Sequence, residues 1–248
     1  MKNCLKLTFD SGQTALAIRA DRQAELPDAL KQIGLDGSRS VLVVVGGASN
    51  ISEADFLRIQ RLFTEVLAPI AENLGAYVVD GGTNVGVMQL MGKARTQIGG
   101  KFALIGVAPE NKVALPNQKE PAPDLTLLEP NHTHFVLVPG DNWGDESPWI
   151  SHVAIVLANN APSLTVLLNG GEITFEDAFS SINTGRLVVA IAGSGRTADI
   201  LADTLRGEAT DERAKKLAKS GILQYVNLID IDKGVENLGK IIKDLLSN

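Results

Sequence analysis

The sequence predicts an α/β fold: a Rossmann-like, doubly wound, mostly parallel sheet with helices on both faces, plus an N-terminal β-hairpin. Short apolar runs, several of them rich in valine and isoleucine, alternate with helix-length amphipathic segments along the chain. Most runs are apolar on both faces, which is typical of parallel strands covered by helices on two sides. The 248 residues include 44% hydrophobic residues, which is enough for the core of one large domain.

The first predicted elements form the hairpin. Residues 4–10 and 14–20 alternate apolar and polar side chains on either side of a DSGQ turn, the pattern of two antiparallel strands. Polar residues dominate positions 20–39, where one short helix is predicted over 27–34.

The strands of the core follow. They are predicted over residues 41–45, 76–79, 102–108, 134–138, 164–168, 187–192 and 225–231. Helical spacing of apolar residues is clearest over 57–75 and 198–207. Residues 108–133 are polar and rich in proline, so we expect an irregular segment that covers a site.

The predicted domain organisation is simple. No linker or low-complexity tract interrupts the alternation of strands and helices. We therefore expect residues 1–248 to form a single domain, with the hairpin extension over 1–39 and the doubly wound core over 40–248.

The amino-acid composition argues against nucleic acid and membranes as binding partners. The formal net charge is -6 and no Lys/Arg cluster occurs, so a nucleic-acid partner is not expected. Cys4 is the only cysteine, and no apolar run resembles a signal peptide or reaches the roughly 18 residues of a membrane span. These features predict a soluble, cytoplasmic protein without membrane insertion, and we expect it to form a homo-oligomer.

Five of the apolar runs end in turns that contain glycine, at residues 46–50, 80–88, 139–146, 169–177 and 193–199. Ligands of parallel sheets bind outside the carboxyl ends of the strands, where glycine lets a ligand approach the backbone and helix N-termini attract phosphate. The predicted ligand contacts are Gly46, Gly47, Ala48, Asn50, Gly81, Gly82, Thr83, Asn84, Val87, Gly140, Trp143, Gly170, Gly171, Thr174, Gly193, Ser194, Gly195 and Arg196.

Structural explanations compete with ligand binding in these turns. Each glycine pair can serve a tight turn alone. Ser52 and Thr174 each begin an S/T-x-x-D sequence, so each can cap a helix. Thr174 can therefore be a cap, a phosphate contact or both. The chain has neither a Walker A lysine loop nor a G-x-G-x-x-G sequence after its first core strand.

The three histidines could be metal ligands, and two aspartates could be ribose contacts. His132, His134 and His152 lack the carboxylate or cysteine pattern that completes a zinc set, so no metal site is expected. Asp80 and Asp141 would repel a phosphate unless they meet ribose hydroxyls.

Several of these motifs together resemble a known family. GGASN, DGGTNVGVMQLMGKA, PNHTHF and GSGRTAD occur in this order, and the similarity covers about residues 40–205. The chain resembles the SLOG superfamily, and within it the stand-alone prokaryotic form of the LSDAT branch, which is similar to the N-terminal SLOG region of melastatin-type TRP channels. The resemblance implies binding and sensing of a nucleotide-derived ligand, an NAD-derived one such as ADP-ribose or a cyclic form, with no further cofactor required.

The resemblance also implies roles for single residues. Trp143 matches an aromatic contact of the family, and Arg196 matches an arginine contact. Ile150 stands where the family has another arginine, so that contact is expected to be lost.

An enzymatic alternative comes from the related LOG enzymes. Their PGGxGTxxE motif corresponds to residues 170–177, where Ile173 replaces the third glycine and Asp177 the catalytic glutamate. Glu172, Glu176 and Asp177 are the candidate catalytic residues of a LOG-type nucleotide N-glycosidase, that is, a phosphoribohydrolase. The altered motif favours a binding module over this enzyme. A scaffold with a vestigial pocket is a third hypothesis.

Overall fold

The computed structural model describes residues 4–47, 53–116, 118, 122–208, 211–228 and 230–247. The strands are β1 (Cys4–Thr8), β2 (Thr14–Arg19), β3 (Val41–Gly46), β4 (Tyr77–Asp80), β5 (Leu104–Pro109), β6 (Val113–Ala114), β7 (Thr126–Leu127), β8 (His134–Val138), β9 (Ser163–Leu168), β10 (Leu187–Ala192) and β11 (Leu223–Asn227). The α-helices are α1 (Leu26–Gln32), α2 (Glu53–Leu62), α3 (Ala68–Leu74), α4 (Gly86–Gln97), α5 (Ser147–Ala158), α6 (Glu172–Asn183), α7 (Arg196–Arg206), α8 (Glu212–Ala218) and α9 (Ile231–Leu246).

Nine strands form one sheet in the order β1-β2-β8-β5-β4-β3-β9-β10-β11. All neighbours from β2 to β11 are parallel, and only β1 runs antiparallel to its neighbour. The chain builds outward from β3 to β8 and then returns to place β9 on the other side of β3. Strand order therefore reverses between β3 and β9, and the prediction of a doubly wound α/β fold is confirmed.

Helices cover both faces of this sheet. Val41, Val43 and Val45 of β3 pack on one face with α1 and α5–α8, whereas Leu42 and Val44 pack on the other with α2–α4 and α9. All five side chains are buried, which explains why the strand is apolar without alternation. Full burial of each such side chain contributes about 1.5–3 kcal/mol.

The predicted N-terminal hairpin is confirmed, and it belongs to the main sheet. β2 pairs in parallel with β8, with Leu16 opposite His134. Leu7 and Ala17 pack against Phe135 of β8 in a smaller apolar cluster at this end of the sheet.

The predicted strand over 225–231 is wrong in its second half. The strand runs from Leu223 to Asn227, and α9 begins at Ile231. The side chain of Asp230 accepts a hydrogen bond from the backbone N–H of Lys233 (3.3 Å), so it caps a helix. The predicted strand therefore covers the end of β11 and the start of α9.

The predicted helix over 57–75 is interrupted by a π-helical turn. Phe63–Leu67 forms this turn between α2 and α3, and the backbone N–H of Ala68 donates to the carbonyl of Phe63. Pro69 follows within the first turn of α3, where its missing N–H breaks no bond.

Residues 108–133 are less irregular than predicted. β6 and β7 pair in parallel, and Thr83 forms an isolated bridge with Leu128. The N–H of Asn84 donates to the carbonyl of Leu127 (2.8 Å) and the N–H of Glu129 to that of Gly82 (2.9 Å). This segment is therefore fastened to the turn that follows β4.

Candidate functional site

A pocket of about 490 Å³ lies where strand order reverses, at the carboxyl ends of β3 and β9. Its position is the one at which open α/β sheets bind ligands, so it is the candidate functional site. Ten of the predicted ligand contacts and candidate catalytic residues line this pocket: Gly46, Gly47, Gly81, Thr83, Trp143, Gly171, Glu172, Thr174, Asp177 and Arg196.

Other predicted contacts do not line this pocket. They are Gly82, Asn84, Val87, Gly140, Gly170, Glu176, Gly193, Ser194 and Gly195. Val87 is a fully buried residue of α4, and Asn84 lines a separate pocket of about 340 Å³ beside the hairpin. Ala48, Asn50 and the predicted cap Ser52 lie outside the described residues.

Gly46 brings the ends of β3 and β9 together. Its φ is +132°, and a β-carbon at this position would overlap the backbone carbonyl of Leu168. The N–H of Gly47 donates to the same carbonyl (3.2 Å). A glycine is therefore required where the two strands frame the pocket.

Asn169 fixes the turn after β9 to the turn after β10. Its backbone N–H donates to Ser194 Oγ (2.8 Å), and its side-chain Nδ2 donates to the Ser194 carbonyl (2.8 Å). Its Oδ1 accepts the N–H of Gly170 (2.7 Å). Thr197 adds a further link, because its hydroxyl donates to the carbonyl of Gly171 (2.9 Å). Ser194, predicted as a ligand contact, is thus buried in a link between turns.

Arg196 joins the pocket wall at the start of α7. Its φ is +52°, an uncommon conformation for a residue other than glycine. Its guanidinium lies over Gly171, where a β-carbon would be 2.9 Å from Nη2. Gly171 is the N-cap residue of α6. The guanidinium and the positive ends of two helices therefore meet at one place, which favours an anion.

Thr174 has a structural role that differs from the predicted cap. α6 begins at Glu172, so Thr174 lies in its first turn and is not the N-cap residue. Its Oγ1 accepts the N–H of Gly171 (3.2 Å), and its own N–H donates to the Gly171 carbonyl (3.1 Å). The prediction that Thr174 caps the helix is corrected accordingly: it bonds back to the cap from the third helical position.

Apolar side chains form another part of the wall. Trp143 lines the pocket and also packs, half-buried, against the apolar cluster under the hairpin. Val85, at 51% exposed, and Ile173, at 37%, present apolar surface to the pocket. Such a surface suits the flat faces of an aromatic ligand group.

Besides Glu172, two further carboxyl groups line the pocket. Glu146 is 8% exposed, its Oε2 accepts the N–H of Gly144 (2.7 Å), and burial raises its pKa. Asp177 Oδ1 accepts the hydroxyl hydrogen of Ser147 (2.6 Å). Burial, with the nearby charges of Glu146 and Glu176, raises the pKa of Asp177 to about 7, although the bond from Ser147 opposes the shift.

A buried ionic network supports the turn after β4. His132 Nε2 lies 2.8 Å from Asp80 Oδ1 and His132 Nδ1 lies 2.8 Å from Glu129 Oε2, with all three side chains buried. Burial lowers the pKa of His132, but the two carboxylates more than offset this effect and raise it to about 9. Asp80 Oδ1 also accepts the N–H of Gly82 (2.7 Å), so the network holds the turn that presents Gly81 and Thr83.

This network corrects the expectation for Asp80, which is enclosed with His132 and cannot meet a ribose in the pocket. Asp141 also lies outside the pocket wall, where it accepts a hydrogen bond from Asn111 (2.8 Å). His134 contacts Thr133 Oγ1 (2.8 Å) and the Ile33 carbonyl (3.1 Å). Among the described residues, no group of three or more His, Cys, Asp or Glu side chains is arranged to hold a metal ion.

Eight residues of the wall were not predicted as contacts or catalytic groups: Val44, Val45, Val85, Met88, Thr126, Glu146, Ile150 and Ile173. Ile150 and Ile173 were named only as departures from the family motifs, and both line the pocket. Glu146 is the last residue of a glycine turn, immediately before the Ser-Pro start of α5, so its position was a usable signal. Thr126 comes from the segment that was expected to cover a site. Val44, Val45, Val85 and Met88 gave no signal, because their spacing matches that of ordinary core residues.

Comparison with known proteins identifies the family. Residues 39–237 match the family described as SLOG in TRPM, prokaryote, and the chain belongs to this family. The member 2 channel of the transient receptor potential cation channel subfamily M from Mus musculus is 29% identical over 204 residues, which cover 68% of this chain and 13% of the channel.

Two further relatives belong to the same subfamily. The member-like 2 channel of Nematostella vectensis is 26% identical over 251 residues, 86% of this chain and 16% of the channel. The member 6 channel of Homo sapiens is 23% identical over 225 residues, 78% of this chain and 11% of the channel. The chain thus spans less than a fifth of each of these channels. Within the described residues, no helix has the length and apolar character needed to cross a membrane.

Proposed function

We propose that the pocket at the ends of β3 and β9 binds a nucleotide-derived ligand and that the protein acts as its sensor. The observation that carries this proposal is the meeting of the Arg196 guanidinium with Gly171 and the first turns of α6 and α7. A guanidinium pairs with two phosphate oxygens at once, and helix N-termini attract the same charge. The ligand's diphosphate belongs at this place.

The apolar wall supports a purine on the same ligand. Trp143, Val85 and Ile173 offer surface to a base, and a base stacked on an aromatic side chain gains ~1–3 kcal/mol. A pocket of about 490 Å³ also falls within the usual size of small-ligand sites. Family membership and these features favour an NAD-derived nucleotide, such as ADP-ribose or a cyclic form. A cytoplasmic location and a homo-oligomer are parts of the same proposal.

Replacing Arg196 by alanine is expected to weaken ADP-ribose binding at least about tenfold, because a charge-assisted contact to phosphate is lost. Calorimetric titration measures the dissociation constant. Arg196→Lys keeps the charge without the planar fork and is expected to recover only part of the affinity.

Arg206→Ala is the matched control for this experiment. Arg206 lies at the other end of α7, where it pairs with Asp203 and contacts Glu208, and it does not line the pocket. This variant is expected to bind ADP-ribose like the wild type. Equal affinity of Arg196→Ala and the wild type would exclude the guanidinium as a phosphate contact.

A second candidate function is a nucleotide N-glycosidase. One observation favours it: Asp177 occupies the pocket with a pKa raised to about 7, so near neutral pH its carboxyl can either give or take a proton. Glu146 lies close enough to affect that pKa. Two carboxyl groups with different environments are what an acid–base pair requires.

The decisive measurement is release of base or ribose from a nucleoside monophosphate, NAD and ADP-ribose, followed by chromatography. Turnover that disappears in Asp177→Asn and persists in Glu176→Gln would support the enzyme. Glu176 is the matched control because it is the preceding residue of α6, exposed and outside the pocket wall. Substrates that bind but stay intact after prolonged incubation would exclude the enzyme and support the sensor.

A further inference from the structure

The pocket carries opposite charges on different parts of its wall. Arg196 and the helix N-terminus at Gly171 form the positive part, beside Glu172, whose carboxylate pairs with Arg213. Asp177 lies five residues beyond Glu172, the first residue of α6, which places it about 7.5 Å further along the helix axis. Glu146 lines the same pocket and faces Asp177 closely enough to raise its pKa. The wall therefore passes from phosphate-binding groups to acceptors of hydrogen bonds.

Hydrogen bonds hold each of the two carboxyl groups in place. Glu146 Oε2 accepts the N–H of Gly144, and Asp177 Oδ1 accepts the Ser147 hydroxyl. The backbone N–H of Glu146 also bonds to its own carboxyl group. Among the described residues, no donor is bonded to Asp177 Oδ2, which remains available to a donor on the ligand. A carboxylate has about four acceptor positions, so Glu146 can also accept a further bond.

From this geometry we propose that Glu146 and Asp177 form a sugar subsite, which accepts hydroxyl groups of a sugar attached to the diphosphate and disfavours a terminal phosphate. The inference rests on the proposed function and specifies its ligand as a nucleoside diphosphate sugar. Vicinal hydroxyls of a pentose donate hydrogen bonds to carboxylate oxygens, whereas a phosphate at the same place would be repelled by both.

The test compares ADP-ribose with ADP, which shares the adenosine diphosphate but ends in a phosphate. Titrations are made at pH 8, above the raised pKa of Asp177, and EDTA excludes divalent cations. We expect the wild type to bind ADP-ribose at least about tenfold more tightly than ADP, since hydrogen bonds to charged groups are gained and repulsion is avoided. In the double variant Glu146→Gln/Asp177→Asn, this ratio is expected to fall below about threefold, mainly because ADP-ribose loses its hydrogen bonds to charged acceptors while ADP never reaches the subsite.

Glu212→Gln removes the same charge from an exposed position of α8 outside the pocket wall, where Glu212 pairs with Lys215, and it is expected to keep the wild-type ratio. Thermal unfolding of each variant establishes that the fold is retained. A ratio that stays unchanged in the double variant, or equal binding of both ligands by the wild type, overturns the sugar subsite while leaving nucleotide binding intact. Absence of binding by both ligands overturns the proposed function and the subsite together.

A repeat with Mg²⁺ separates the subsite from a metal-ion site. Carboxylates beside a diphosphate can also hold this cation. An ADP affinity that rises at least about tenfold with Mg²⁺ in the wild type, and does not rise in the double variant, assigns the carboxylates to the cation and overturns the proposal. Affinities for ADP that are insensitive to Mg²⁺ support it.

Discussion

His132→Ala is expected to lower the free energy of unfolding by about 3–5 kcal/mol, since removal of one member of a buried ionic group leaves its partners uncompensated. The partners are Asp80 and Glu129, each 2.8 Å from a ring nitrogen and each no more than 1% exposed. For a chain of this size the midpoint of thermal unfolding is expected to fall by about 10 °C. Chemical denaturation and thermal scans measure both quantities.

Two comparisons make this expectation specific. His134→Ala, at the first residue of β8, removes a half-buried ring that contacts Thr133 and the Ile33 carbonyl, and its cost is expected to be only about 1 kcal/mol. Adding Asp80→Asn and Glu129→Gln to His132→Ala is expected to restore part of the lost stability, because no buried charge then lacks a partner. Similar losses for His132→Ala and His134→Ala would contradict the ionic explanation.

The same network predicts a pH dependence. The pKa of His132 is raised to about 9 in the folded protein, above its unfolded value, so its contribution to stability is complete below the unfolded pKa and is lost as the pH rises through about 9. Wild-type stability is therefore expected to decline between pH 7 and pH 10 by an amount that His132→Ala does not show. Denaturation curves across that interval measure the difference between the two proteins.

Gly46→Ala is expected to cost roughly 3 kcal/mol or more and to abolish ligand binding, since the added methyl would force β3 and β9 apart. The β-carbon would overlap the carbonyl oxygen of Leu168, and the backbone at +132° is already outside the usual range for alanine. Thermal unfolding and calorimetric titration with ADP-ribose measure the two effects.

The adjacent Gly47→Ala is the control. A β-carbon there would lie 3.6 Å from Asn169 Oδ1, an ordinary contact, and this glycine does not have a positive φ. It is expected to unfold within about 1 kcal/mol of the wild type. If both variants were equally stable, the close approach of β3 to Leu168 would not be needed for the fold.

Most of the fold could be predicted because both faces of the central strands are buried. That burial gives runs such as residues 41–45 and 187–192 whose apolar character is continuous, and the structure places strands at both. The error at residues 225–231 has the same origin. An apolar strand and the first turn of an amphipathic helix meet across Asp230, and periodicity over so few residues cannot separate them.

The site was only partly predictable, because a glycine turn can face a ligand or lock a backbone. Gly171 and Arg196 reach the pocket, whereas Ser194 and Gly195 from the same motif pack against Asn169. That division depends on contacts between turns that are 25 residues apart, as between Asn169 and Ser194. Glu146 was missed for the opposite reason: its place at the end of a glycine turn does not by itself mark it as a ligand contact, and it lines the pocket because the fold brings it near Asp177 of α6.

The two hydrogen bonds between Asn169 and Ser194 affect how the protein would bind the proposed ligand. Asn169 and Arg196 hold φ values of +50° and +52°, conformations that cost of order 1–3 kcal/mol each and that the cross-linked turns impose during folding. That cost is met during folding, so the pocket would be preorganised for the ligand proposed above and association would require little induced fit. We therefore expect differences in affinity among such ligands to reside mainly in the rate of dissociation.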